Sequence, residues 1–199
     1  MSKLIIATNN KDKLKEFKHI LRDTGIEILA AADFTDFPDV EETGSTLEEN
    51  ALLKARAVYD KYRLPCVADD TGLEVDCLDG EPGVYSSRYA GEDASYDDNC
   101  RKLLSVIALE PLDNRKARFR TVMAFIDKQG QAHTAEGIIE GEIIDQKRGH
   151  NGFGYDPVFL VPDLGKTLAE LSPDQKNKIS HRHNALINIL PIIRDKLIE

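Results

Sequence analysis

Two long stretches, residues 117–127 (A-R-F-R-T-V-M-A-F-I-D) and 132–144, flank the tetrapeptide Lys128-Gln129-Gly130-Gln131. Apolar and polar residues around a glycine-bearing connector predict two strands joined as a hairpin. Elsewhere, short apolar runs lead into helical spacing. Lys3–Ala7 reads as a buried strand, and Leu14, Phe17, Ile20 and Leu21 then recur at helix period. A hairpin beside strand–helix units implies a mixed sheet, not a purely parallel one. The chain is therefore expected to be α/β.

The remaining signals fit that frame. Ser45-Thr46 with Glu48 and Glu49 offers a capping box for a helix bearing Leu47, Ala51, Ala55, Val58 and Tyr62. Cys66–Asp69 and Leu73–Val75 read as two strands separated by a Thr71-Gly72 turn. Ser95 and Asp98 open a helix with Leu103, Leu104 and Ile107. Val158–Val161 is a further strand, Ser172-Pro173 starts a short helix, and the last helix carries Ala185, Leu186, Ile189 and Ile193, with a kink expected at Pro191.

The 199 residues suit one domain of two lobes, spanning 1–199. A net charge of −9 argues against a nucleic-acid or anionic membrane partner. No apolar run reaches the ~18 residues a spanning helix needs. The amino-terminal apolar run is too short for a secretory signal. The three cysteines, Cys66, Cys77 and Cys100, lack metal-ligand spacing and suit reduced thiols in a cytoplasmic protein.

The stretch V-A-D-D-T-G-L-E-V-D, residues 67–76, places Asp69 and Asp70 directly after an apolar run. Adjacent carboxylates stay ionised only where cations compensate them. Mg²⁺ with phosphate oxygens is one such solution, and a solvated turn is the alternative. Glu41-Glu42 is a second acidic pair. Thr8-Asn9-Asn10-Lys11-Asp12-Lys13 joins a strand to a helix start, whose free N–H groups suit a phosphate; an ordinary Asn cap with solvated lysines is the other reading. Lys54 is either a stem along the buried stripe or a cation aimed at phosphate. In R-G-H-N-G-F-G-Y-D-P-V-F, glycines bracket Phe153, whose ring suits a planar base or the core. In K-N-K-I-S-H-R-H, Lys176, His181 and Arg182 supply donors of three kinds, or simply a basic helix start.

Taken in order, A-T-N-N-K-D-K-L-K-E, E-T-G-S-T-L-E-E-N-A-L-L-K-A, A-D-D-T-G-L-E-V-D, G-E-P-G-V-Y-S-S-R-Y-A-G, N-G-F-G-Y-D-P-V-F and K-N-K-I-S-H-R cover nearly the whole chain. This ordered set resembles the inosine triphosphate pyrophosphatase family, the dITP/XTP pyrophosphatases of non-canonical purine nucleotides. The resemblance implies an elongated mixed β-sheet flanked by helices, in two lobes around a central nucleotide-binding cleft, paired as a homodimer. It implies Mg²⁺-dependent hydrolysis of ITP, dITP and XTP to the monophosphate and pyrophosphate, removing deaminated purines from the nucleotide pool. By the same resemblance Glu42 and Asp69 hold the metal and Asp69 is the proton acceptor. Thr8, Asn9, Asn10, Lys11, Asp12, Lys13, Lys54 and Asp70 bind substrate. Phe153, Gly154, Tyr155 and Asp156 form the base loop with Phe153 stacking, and Lys176, His181 and Arg182 read the base.

The chain departs from the family pattern in places. Asn9 stands where glycine is frequent, and Asn tolerates left-handed backbone. His183-Asn184 follows Arg182 where a glycine and a long polar residue are usual, and Lys147 stands where proline is common. Two rival functions remain on the residues alone: a phosphate-releasing phosphatase, which would want D-x-D after a strand, and a non-catalytic nucleotide-sensing module.

Overall fold

The computed structural model describes residues 2–198. Its strands are β1 (Lys3–Ile6), β2 (Glu27–Leu29), β3 (Cys66–Val75), β4 (Pro82–Gly83), β5 (Lys116–Ile126), β6 (Ala132–Ile143), β7 (Phe159–Val161) and β8 (Lys166–Thr167). Its α-helices are α1 (Lys11–Leu21), α2 (Leu47–Tyr62), α3 (Tyr96–Val106), α4 (Pro173–Ile179) and α5 (His181–Ile198). The strands form one open sheet in the order β2-β1-β3-β5-β6-β7-β8, with β4 paired to β3. It is mixed: β1 is parallel to β2 and to β3, whereas β4, β7 and β8 join antiparallel. The expected mixed α/β fold is the one observed.

The chain divides into two compact units. The first holds 2–70, Thr121–Gly137 and 181–198; the second holds Thr71–Arg120 and Ile138–Ser180. β3, β5 and β6 contribute residues to both.

In the first unit, Leu4, Ile6, Phe17, Val67 and Phe125 pack with the apolar stripe of α5. Gly137 on β6 makes that packing possible. A Cβ there would stand 2.1 Å from the Ala185 N and 2.3 Å from the His181 O, both backbone atoms of α5. Only glycine lets the helix come this close. The second unit has its own core, with Leu73, Leu103, Ile107, Phe119 and Phe159 at its centre. Its two phenylalanine rings lie 4.7 Å apart between centroids, within the range of favourable aromatic pairs.

The capping boxes of α2 and α3 fall where the sequence puts them, and α4 starts after Ser172 with a further one. Thr46 accepts from Glu49 N, Ser95 from Asp98 N and Ser172 from Gln175 N, and each N3 side chain reaches back. One prediction is corrected. Thr71-Gly72 is not a turn, because β3 runs unbroken from Cys66 to Val75. β4 supplies the reason: a Cβ at Gly72 would lie 2.7 Å from the Gly83 O. The glycine here admits a neighbouring strand instead of bending its own. The short strands β2, β4 and β8 carry no periodic signal. α5 continues through Pro191.

Candidate active site

In the first unit, β1 and β3 pair in parallel, Ile5 opposite Cys66 and Ile6 opposite Val67. This register brings the carboxyl end of β1, where α1 begins, beside the acidic pair of β3. Asp69 and Asp70 are both buried. Strand alternation gives them different partners. Asp69 Oδ2 lies 3.1 Å from Lys13 Nζ and accepts from Arg182 Nε and Nη2, each at 3.2 Å. Asp70 Oδ2 accepts from Asn50 Nδ2 at 3.2 Å, and its Oδ1 accepts from Lys54 Nζ at 3.2 Å. Lys54 also donates to Glu42 Oε1 at 2.5 Å. Arg182 Nη1 binds Glu16 on α1. The acids are thus interleaved with cations, and this compensation is what permits two adjacent carboxylates inside the protein.

The electrostatics differ between the two aspartates. Burial would push Asp69 up, but Lys13, Arg182 and Lys54 outweigh it and hold the carboxyl well below the usual carboxylate range. Burial pushes Asp70 up by more than Lys54 pulls it down. Burial lowers Lys54, yet Asp70, Asp69 and Glu42 more than restore its proton. Arg182 is likewise held charged, against burial, by Asp69 and Glu16.

The strand-to-helix turn follows the second of the two readings that the sequence allows, an Asn cap. Asn10 caps α1, its side chain accepting from Asp12 N at 2.9 Å and Lys13 N at 3.1 Å. These amides are already satisfied, so the cation available to a phosphate here is the Lys13 ammonium and not the bare helix end. Thr8 Oγ1 accepts from Asn10 N at 3.1 Å. Lys11 is exposed, and Asp12 pairs with Lys15 at 3.2 Å. Among the described residues only Arg63 and Asp79 combine a side chain with positive φ, so Asn9 needs no left-handed backbone. His181 is buried at the start of α5.

The second unit holds the glycine-rich loop. Asp156 organises it. Its Oδ2 accepts from Phe153 N at 2.8 Å and from Lys176 Nζ at 2.7 Å. At Gly152, φ is +74° and a Cβ would fall 2.0 Å from that same oxygen, so the turn requires glycine twice over. Lys176 Nζ sits 4.6 Å from the Phe153 ring centroid, a cation–π distance. The Tyr96 ring lies 5.8 Å away on the same aromatic. Cys100 Sγ donates to the Gly154 O at 3.4 Å. Tyr155 is different: its ring is in the core and its hydroxyl donates to the Ser86 O at 2.9 Å. That side chain supports the loop from within and is not on its surface.

Two participants were missed from sequence, Glu16 and Asn50. Glu16 is three residues after Lys13, and Asn50 four before Lys54, so each shares a helix face with a cation already singled out. That spacing was the readable signal.

The donors suit a hard cation. Glu42, Asp69 and Asp70 offer only oxygen, and two of them already converge on one ammonium, Lys54. Among the described residues, no three His, Cys, Asp or Glu side chains are grouped to cage a metal. Mg²⁺ characteristically takes one or two carboxylates and completes its shell with phosphate and water, so this donor set fits it.

Residues 4–192 match the model of the Ham1 family. The chain is 50% identical over 197 residues to a dITP/XTP pyrophosphatase of Thermoanaerobacter sp. (strain X514), covering 99% of both chains. The solved structure of a HAM1 protein from Coxiella burnetii superposes with a TM-score of 0.88 at 41% identity, over 98% of this chain and 100% of that one. A nucleoside-triphosphatase / dITP/XTP pyrophosphatase from Mycobacterium abscessus gives 0.77 at 39% identity, over 95% and 99% of the two chains. With likeness of sequence and of fold along its whole length, the chain belongs to the Ham1 family.

Proposed function

We propose that this protein hydrolyses deaminated purine nucleoside triphosphates, ITP, dITP and XTP, to the monophosphate and pyrophosphate. The observation that carries the reading is Asp69: a buried carboxylate kept ionised by Lys13 and Arg182, with Lys54 close enough to add to their pull. An ionised acid inside a cluster of cations suits a reaction in which phosphate charge arrives and then departs. The names of full-length relatives support the same activity.

The roles follow from the contacts. Lys13 and Lys54 bind the triphosphate and stabilise charge on the leaving pyrophosphate, with the Thr8–Asp12 turn setting the approach of α1. A triphosphate that draws Lys13 towards itself weakens the hold on Asp69 Oδ2. The carboxylate then gains basicity, orients a water and accepts its proton as that water attacks the α-phosphorus. Asp70 keeps Lys54 in place. Mg²⁺ on Glu42 and Asp69 would neutralise phosphate charge and sharpen the electrophile.

Phe153 holds the base by stacking. Lys176 reads it. A lysine only donates, so it matches the 6-keto oxygen of hypoxanthine and xanthine and opposes the 6-amino group of adenine. Such a mismatch leaves a buried donor unmet and can cost on the order of a thousandfold or more in specificity. We propose also that the protein is cytoplasmic, which fractionation of cells expressing it tests, and a homodimer, which light scattering on the purified chain tests. No described helix is long and apolar enough to cross a membrane.

The deciding experiment is product analysis on ITP and ATP, with Mg²⁺ and with EDTA. IMP and pyrophosphate, lost in EDTA and weak with ATP, is the expected result. Orthophosphate release, or tight ITP binding without turnover, would overturn it.

A further inference from the structure

The segment between Phe34 and Thr46 has neither helix nor strand, yet it is tied along the whole length of α2. At the end of that helix Phe34, Phe37 and Tyr62 form a three-ring cluster, with Tyr62 4.2 Å from Phe34 and 6.1 Å from Phe37 between centroids. The Tyr62 hydroxyl donates to the Asp36 O at 2.5 Å, and Lys61 pairs with the Asp36 carboxylate at 2.5 Å. In the middle of the helix Lys54 takes Glu42. At its start the Asn50 Oδ1 accepts from Gly44 N at 2.7 Å, and Glu49 accepts from Ser45 N at 2.7 Å. The contacts run antiparallel, 36 with 61–62, 42 with 54, 44 with 50 and 45 with 49. The segment is a strap on α2, pinned at both ends, with Glu42 between the pins.

We propose that Tyr62 is a positioning residue for Glu42: the aromatic cluster fixes the far end of the strap and so sets where the Glu42 carboxylate stands at Lys54. This rests on the reading that Glu42 serves the hydrolysis. Tyr62 is eight residues beyond Lys54, about 12 Å along the helix, and so acts only through the chain it holds. The near end is already short and well bonded, since Gly44 has no room for a side chain: a Cβ would be 2.6 Å from Asn50 Oδ1. The far end depends on rings. Without them about six residues of backbone before Glu42 gain conformational freedom, and the carboxylate loses its fixed place.

The test is a double-mutant cycle on ITP turnover with Tyr62→Ala, Glu42→Gln and their combination, and with Tyr62→Phe as the conservative variant. Tyr62→Ala should lower kcat about tenfold or more, because small misplacements of a reacting group are costly. Tyr62→Phe, which keeps the ring, should restore most of the rate. In the Glu42→Gln background Tyr62→Ala should cause no further loss. Phe34→Ala, which removes one ring and leaves α2 unaltered, repeats the cycle should Tyr62→Ala fold poorly. Losses that multiply in the double variant, or Tyr62→Ala and Phe34→Ala turning over at the parental rate, would overturn the proposal. Full turnover in Glu42→Gln would remove the role of Glu42 and this inference with it, whereas multiplicative losses leave Glu42 standing and remove Tyr62 alone.

Discussion

Arg182 grips Asp69 with two nitrogens, Nε and Nη2 at 3.2 Å each, while its third reaches Glu16. The partners are 113 residues apart in sequence, and both are almost fully buried, at 1% and 2% exposure. A guanidinium so placed serves as a fixed counter-charge as well as a donor. Replacing Asp69 with Asn therefore does two things at once. Turnover should fall about a thousandfold, the scale of losing a positioned proton acceptor. Stability should fall by about 3 kcal/mol, because the buried Arg182 keeps its charge and loses a partner, while Lys13, which burial already lowers, loses the carboxylate that most favours its charged form. Steady-state rates and a denaturant titration read the two effects separately. Normal turnover would exclude the proposed role of Asp69.

Glu16 is the other arm of that guanidinium. Glu16→Gln keeps the shape and removes the charge. It should cost about 1–3 kcal/mol, the range for a charged hydrogen-bond partner. Turnover should fall by less than in Asp69→Asn, since Arg182 retains its two bonds to Asp69. An equal or larger loss of rate in Glu16→Gln would mean that Glu16, not Asp69, governs the chemistry.

These two residues also mark how far the sequence could be read. Local signals were legible. Thr46 with Glu49 and Ser95 with Asp98 are caps made within four residues, and the structure forms both. Gly72 was misread, because its reason is Gly83 on another strand and not its own backbone. The acids of β3 were legible as a site, but the identity of their cations was not. Lys13, Lys54 and Arg182 come from three helices, and nothing in the spacing says that Arg182 meets Asp69. The base loop shows the same split. Its glycines and Phe153 could be read, whereas Tyr155 turned inward to Ser86 by a contact 69 residues away.

Lys176 is the test of the second unit. It is buried, bonded to Asp156 and set over the Phe153 ring. Lys176→Met keeps the stem and deletes the donor. The KM for ITP should rise about tenfold or more, as for loss of a charged hydrogen bond, with a smaller change in kcat. A fall in kcat alone, at unchanged KM, would place Lys176 in the chemistry and not in holding the nucleotide.

Gly137 ties the placement of Arg182 to the packing of α5. In Gly137→Ala the new Cβ meets two backbone atoms of the helix, which cannot rotate away. α5 must shift from β6, at a cost of about 3 kcal/mol, the upper part of the range for overpacking. His181 and Arg182 begin that helix, so turnover should fall as well. A melting temperature and rate equal to the parent would show that the helix accommodates the methyl without moving.

The pH dependence of stability follows from Asp69, with the sign set by the direction of its shift. The folded protein holds this carboxyl below the unfolded value of about 3.9. The unfolded chain therefore binds the proton first as pH falls. The stabilisation is complete above about pH 5 and is lost progressively below it, down through the folded value. Asp69→Asn has no such group. The stability gap between parent and variant should be widest near neutrality and should narrow steadily from about pH 5 to pH 3. Asp70 is shifted the other way by burial, so its ionisation opposes folding at neutral pH, and Asp70→Asn should narrow the gap to the parent in the reverse direction, destabilising less at pH 7 than at pH 3. Urea midpoints for the three proteins across that range measure both slopes. A gap for Asp69→Asn that stays constant with pH would mean that Asp69 is not held ionised by Lys13 and Arg182.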